Sequence, residues 1–147
     1  MLANIFMHKD TWRKNAMNLG DAWNLYKMAI LASTKEKSQK TENGRWRNHI
    51  APILGQHDVR TITTLDCLLL RRKLEETYKL SPQTVHHCLS LLRRVLKKAE
   101  EWEGFESNIK NFKGIMPKFD NKRQRFLNSD EVKKFYIFWS QTKTGMI

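Results

Sequence analysis

Along this chain apolar residues return every three to four positions, the rhythm of helices that bury one face. Ala22, Trp23, Tyr26 and Ile30 form the first such face, starting from Leu19 and expected to end around Ser33, with Asp21 placed favourably near the positive end of the helix dipole. A polar run from Lys35 to Lys40 precedes a second face of Trp46, Ile50, Ile53 and Leu54. Gly55 stops that helix, and Pro52 predicts a kinked or loosened last turn. Val59 and Ile62 are too short a run for more than a bridging turn. Thr63 or Thr64 then caps a third helix, with Asp66 in its first turn and Leu65, Leu68/Leu69, Arg72 and Leu74 carrying it towards Tyr78.

The fourth helix is the best specified. Ser81 can accept from an unpaired first-turn N–H, and Pro82 at the first helical position loses nothing, because its missing N–H would have had no helical partner. Val85, Cys88/Leu89, Leu92, Val95/Leu96, Ala99 and Trp102 share a face, whereas Gln83, His86/His87, Ser90, Arg94, Lys97 and Lys98 lie off it. Gly104 ends this run of roughly 20 residues, a length of about 30 Å. One side can pack while the other meets an anion.

Periodicity fades from Phe105 to Arg125, where Gly114 and Pro117 punctuate and basic residues far outnumber Glu106 and Asp120, the texture of a basic linker. Asn128 or Ser129 then caps a further helix, with Asp130 and Glu131 in its first turn. Val132, Phe135, Tyr136 and Trp139 are too many large side chains for that short helix to bury alone, so a second domain is expected to begin there. Residues 1–18 show no clear period and are read as an arm or irregular segment. The expected organisation is all-α: an arm at 1–18, a four- to five-helix bundle at 19–104, a basic linker at 105–126 and the start of a truncated domain at 127–147.

Charge narrows the function. In 147 residues there are 27 Lys and Arg against 15 acidic residues, a net charge of +12. That balance favours a polyanionic partner, nucleic acid first, through phosphate contacts and counterion release. No apolar run approaches the roughly 18 residues that span a bilayer, and Met1 to Asp10 lacks the pattern of a secretory signal. A cytoplasmic protein without a membrane partner is expected. Cys67 and Cys88 sit in apolar helical patterns and read as buried thiols. His86-His87-Cys88 is a poor metal site because adjacent helical positions point about 100° apart. No metal and no cofactor are expected. Trp23, Tyr26 and Trp46 have the spacing of core residues more than of a base-stacking platform, and Ser81 is explained by capping.

The order of several segments resembles the SAM-like core-binding domain of phage-type integrases, the tyrosine recombinases. The likeness rests on Ile50-Ala51-Pro52-Ile53-Leu54-Gly55, on Ile62-Thr63 opening a helix, and on Leu80-Ser81-Pro82-Gln83-Thr84-Val85 with Leu91-Leu92-Arg93 and Ala99 downstream. Arg125-Phe126-Leu127-Asn128-Ser129-Asp130-Glu131 is similar to the Arg-x-Leu-Thr-x-x-Glu opening of the catalytic domain, and the whole covers about Leu19 to Phe135. The resemblance implies a module that clamps double-stranded DNA at a recombination half-site beside other recombinase protomers. It implies contacts from Gln83, Thr84 and His87 at the start of the fourth helix and from Arg94 and Lys98 further along. Lys37, Lys40 and Arg45 form a second set, assigned by position and charge. Ser107-Asn108-Ile109 departs from the Asn-Pro that often follows this helix in the family.

The family's catalytic Arg, Lys, His and tyrosine nucleophile belong to a domain this sequence does not reach, and Tyr136 is poorly placed to be that nucleophile. Nucleoid-associated DNA binding without catalysis is therefore the leading expectation. The alternatives are a protein–protein interaction module that serves recombinase assembly, and a helix-turn-helix regulator with Tyr78-Lys79-Leu80-Ser81 as its turn.

Overall fold

The fourth predicted helix is the axis on which the structure is built. A computed structural model describes residues 16–109, 111–122 and 126–144, so most of the expected N-terminal arm lies outside the described residues. In chain order the helices are α1 (Leu19–Ala29), α2 (Glu36–Arg45), α3 (Ala51–Leu54), α4 (Thr64–Glu76), α5 (Pro82–Glu103) and α6 (Ser129–Thr144). A 3-10 turn at Leu31–Ser33 follows α1, and a π turn at Trp46–Ile50 joins α2 to α3. Among the described residues there is no strand, only an isolated antiparallel bridge between Asn18 and Asp58. The fold is all-α.

The caps explain why each helix starts and stops where it does. Asn18 accepts from the Asp21 N–H at 2.8 Å to open α1. Thr63 and Asp66 form a reciprocal capping box on α4. Ser81 accepts from the Thr84 N–H at 3.3 Å on α5, which ends at Gly104 with φ 66°, a left-handed conformation glycine adopts without a Cβ clash. The π turn follows from Pro52. A proline ring crowds the carbonyl four residues earlier, here Asn48, and widening the turn ahead of it relieves that contact. The Ala51 N–H accordingly donates to Trp46 O, five residues back.

α1, α4 and the π turn all pack on α5. Val85, Cys88, Leu89, Leu91, Leu92, Val95, Leu96 and Ala99 form its buried stripe. Trp23 stacks on Trp46 with ring centroids 4.8 Å apart, so these aromatics belong to the core as expected. Both cysteines are buried, and desolvation pushes the Cys67 thiol up to about 12.

Three expectations need correction. On α4 the buried residues are Cys67, Leu70 and Leu74, whereas Leu65, Leu68 and Leu69 face outward. The leucine run fits two overlapping helical faces, and the one holding Cys67 and Leu70 is the one α5 covers. Trp102 is 40% exposed and falls off the α5 stripe, which ends at Ala99. The chain after Gly104 is also more than the basic linker expected, because Ile109 and Ile115 are buried and Phe105, Phe112 and Met116 pack against the core. Arg71 donates to Ile115 O at 3.0 Å and to Glu75 at 2.9 Å, fastening the strap formed by residues 105–109 and 111–116.

The α4 register yields a direct test. Leu70→Ala, at a fully buried position, should cost about 2–5 kcal/mol of stability in urea unfolding. Leu69→Ala, at a position 54% exposed, should stay within about 0.5 kcal/mol. Equal losses would show that the wrong face has been assigned to the core.

Candidate functional site

Because α5 commits one face to the core, its polar residues are gathered on the opposite side. At about 100° per residue, Gln83, His87, Arg94 and Lys98 fall along one line of the helix. Thr84 lies off that line and is half-buried, its hydroxyl 2.9 Å from that of Ser81. Gln83 is exposed in the first turn, at the positive end of the helix dipole. The N-terminal end of α5 thus presents one side chain suited to a base edge and several donors suited to phosphate.

Arg94 occupies the junction of three helices. Its guanidinium donates to Glu42 of α2 at 2.7 Å and to the Tyr26 hydroxyl of α1 at 3.4 Å, while its Nε reaches Ser90 O at 3.4 Å. The Glu42 side chain is only 12% exposed, and its other oxygen, Oε2, is buried without a hydrogen-bond partner. Arg94 is therefore a structural cross-link as well as a half-exposed cation. Burial raises the Tyr26 phenol pKa, and the neighbouring Arg94 charge works against that rise.

Arg45 stands close enough to His87 to act on it. His87 titrates below the ordinary imidazole value of 6.5, first because it is partly desolvated and then because Arg45, His86 and Arg94 repel its proton. Lys37 and Arg45 line one shallow hollow on α2 with Ser38, Thr41 and Glu42. The structure thus joins Lys37, Arg45 and Arg94 into one cationic region across α2 and α5, with the imidazole of His87 among them. Lys40 and Lys98 are both engaged locally, Lys40 with Glu36 at 2.8 Å and Lys98 with Glu101 at 2.6 Å. The Lys98 hydrogen bond holds the Glu101 carboxyl below its usual range.

Comparison with protein-family models, with curated proteins and with solved structures returns no match for this chain. Arg93 and Lys97 are one helical step from Arg94 and Lys98; in the sequence Lys97 was visible only as a basic position off the packed face and Arg93 only within Leu91-Leu92-Arg93. Their neighbours are Phe112 and Lys113 of the strap. That association could not be read from periodicity, because the strap has none. Tyr136 on α6 is 68% exposed and has no hydrogen-bond partner among the described residues.

Two outcomes follow. Arg94→Gln should lower stability by about 1–3 kcal/mol, since it leaves the Glu42 carboxylate buried without its cation. Glu42→Gln added to it should recover part of that loss in urea unfolding. A depressed imidazole pKa means that the unfolded chain takes up the proton first, so His87 leaves stability intact above 6.5 and lowers it as pH falls below that value. The stability lost between neutral and mildly acidic pH should shrink in His87→Gln, and an unchanged pH profile would remove His87 as a cause.

Proposed function

We propose that this chain is a duplex DNA-binding module of the integrase core-binding type, holding a recombination half-site without itself exchanging strands. The observation that carries the reading is the cationic region running from Lys37 and Arg45, past His87, to Arg94 and Lys98 on a chain of net charge +12. Gln83 and His87 would meet base edges in the major groove, and Thr84 would meet a phosphate near the α5 N-terminus. Arg94, Lys98, Lys37, Lys40 and Arg45 would hold backbone. On this reading the parent protein is a tyrosine recombinase acting on DNA in the cytoplasm beside other protomers. No helix among the described residues is long and apolar enough to cross a membrane.

The pairing seen at Lys98 and Arg94 shapes the energetics. Each phosphate must compete with a carboxylate already in place, so the isolated chain should bind weakly and lose affinity steeply with salt. A second reading, a protein-interaction module, is favoured by the outward-facing Leu65, Leu68 and Leu69 of α4. The long, doubly capped α5, with eight residues in the core, departs from the short recognition helix of a helix-turn-helix regulator.

Mobility-shift titrations at several salt concentrations test the proposal. Log affinity should fall by about 0.9 per phosphate contact for each decade of salt. Lys98→Ala should weaken all sequences alike and reduce that slope by about one. Gln83→Ala should cost about 1–3 kcal/mol on a cognate half-site and little on random DNA. Glu101→Gln, which frees Lys98, should tighten binding. Affinity that is flat with salt, with Glu101→Gln without effect, would overturn the DNA reading.

A further inference from the structure

On the flank of α5 away from α2, the strap arches over the C-terminal half of the helix and leaves a cleft of about 310 Å³. Arg93 and Lys97 enter it from the helix and Lys113 from the strap, with Leu96, Ile109 and Phe112 as its apolar wall. The Arg93 guanidinium lies 6.0 Å from the centre of the Phe112 ring. Among the described residues none of these three cations has a carboxylate in hydrogen-bonded contact. Glu101 lies near enough to Lys97 to be influenced by it, but its hydrogen bond goes to Lys98.

One carboxylate does line the cleft. Glu100 spends an oxygen, Oε1, on the Ser107 N–H at 2.7 Å, which leaves three cations facing a single, already engaged acid. Asn111 accepts from the Lys113 N–H at 2.9 Å, and the side-chain NH2 beside that oxygen has no partner among the described residues. The walls are held in place both from outside and within the strap. Asn108 donates to Arg60 O at 2.7 Å, Ser107 Oγ accepts from the Ile109 N–H at 3.1 Å, and Arg71 donates to Ile115 O. A small fixed cleft with cations at its rim and an aromatic face on one wall suits an anionic head joined to a flat ring system.

We propose that this cleft binds one nucleotide unit, its phosphate among Arg93, Lys97 and Lys113 and its base against Phe112. The site does not depend on the duplex reading, since it uses a different flank of α5. The unit could be a free nucleotide or one unpaired nucleotide of a strand, and the two sources share the same chemistry. Cations there make phosphate contacts, while the aromatic wall contributes sequence-tolerant stacking.

Titration of the full chain by amide-resolved NMR tests this with 5′-AMP, inorganic phosphate and adenosine as separate probes. Saturable shifts at Ser107, Asn111 and Lys113 are expected for 5′-AMP, with affinity about tenfold or more above either part alone. Arg93→Gln and Lys113→Gln, both at exposed positions, should each weaken 5′-AMP by about tenfold, with spectra otherwise showing a folded chain. A short single-stranded oligonucleotide that displaces 5′-AMP would assign the site to a strand, whereas failure to compete would assign it to a free nucleotide. Inorganic phosphate binding as tightly as 5′-AMP would overturn the assignment. So would an absence of saturable shifts up to about 10 mM, or shifts undiminished in both variants.

Discussion

Eight side chains of α5, from Val85 to Ala99, give up almost all of their surface to neighbours drawn from α1, α4, the π turn and the strap. Burying a leucine or valine is worth about 1.5–3 kcal/mol, so this one stripe decides where the other elements sit. The helix can act as a common axis because both of its ends are closed within the chain, by Ser81 at the start and by Gly104 at the end. A helix whose apolar face is fully used has only its polar face left to offer. The two flanks of that face then become distinct environments, one beside α2 and one beside the strap.

Those flanks differ in how their cations are held. Beside α2, Arg94 is tied to Glu42 and Tyr26, and partial burial, aided by the charge of nearby Arg45, keeps His87 neutral over a wider pH range. Beside the strap, Arg93 rests near the Phe112 ring and, among the described residues, makes no ion pair. The first arrangement gains rigidity by spending some of its charge on the fold. The second keeps its charge and owes its shape to bonds between side chains and backbone made elsewhere. An excess of positive charge opposes compaction, and Glu42, Glu101 and Glu36 offset part of that repulsion where the lysines and arginines crowd.

Most of the helical scheme was legible from local chemistry. Ser81, Pro82 and Gly104 carry boundary signals that act within a few residues, and the structure places α5 between them. Thr63 with Asp66 did the same for α4. The outward leucines of α4 were not legible, because Leu65, Leu68 and Leu69 satisfy the same spacing as the buried set and only the partner helix chooses between them. The strap was missed for a related reason. Ile109 and Ile115 are isolated apolar residues in an irregular segment, and the backbone of Ile115 is held by Arg71, more than forty positions upstream in sequence. At the site, the line of Gln83, His87, Arg94 and Lys98 followed from helical geometry, whereas the pairing of Arg94 with Glu42 required knowledge of how α2 docks.

The start of α1 and the end of α3 complete each other through the main chain. Leu19 N donates to His57 O at 2.8 Å, Gly20 N to Gly55 O at 2.9 Å, and Val59 N to Met17 O at 3.0 Å. A Cβ on Gly20 would meet Gly55 O at 3.3 Å, so little room separates these backbones. Bonds of this kind are indifferent to most side chains but demand a fixed count of residues between them. The segment from Gln56 to Arg60 should therefore vary freely in identity at its exposed positions and hardly at all in length. Divergent copies of this fold would share a spacing there rather than a motif.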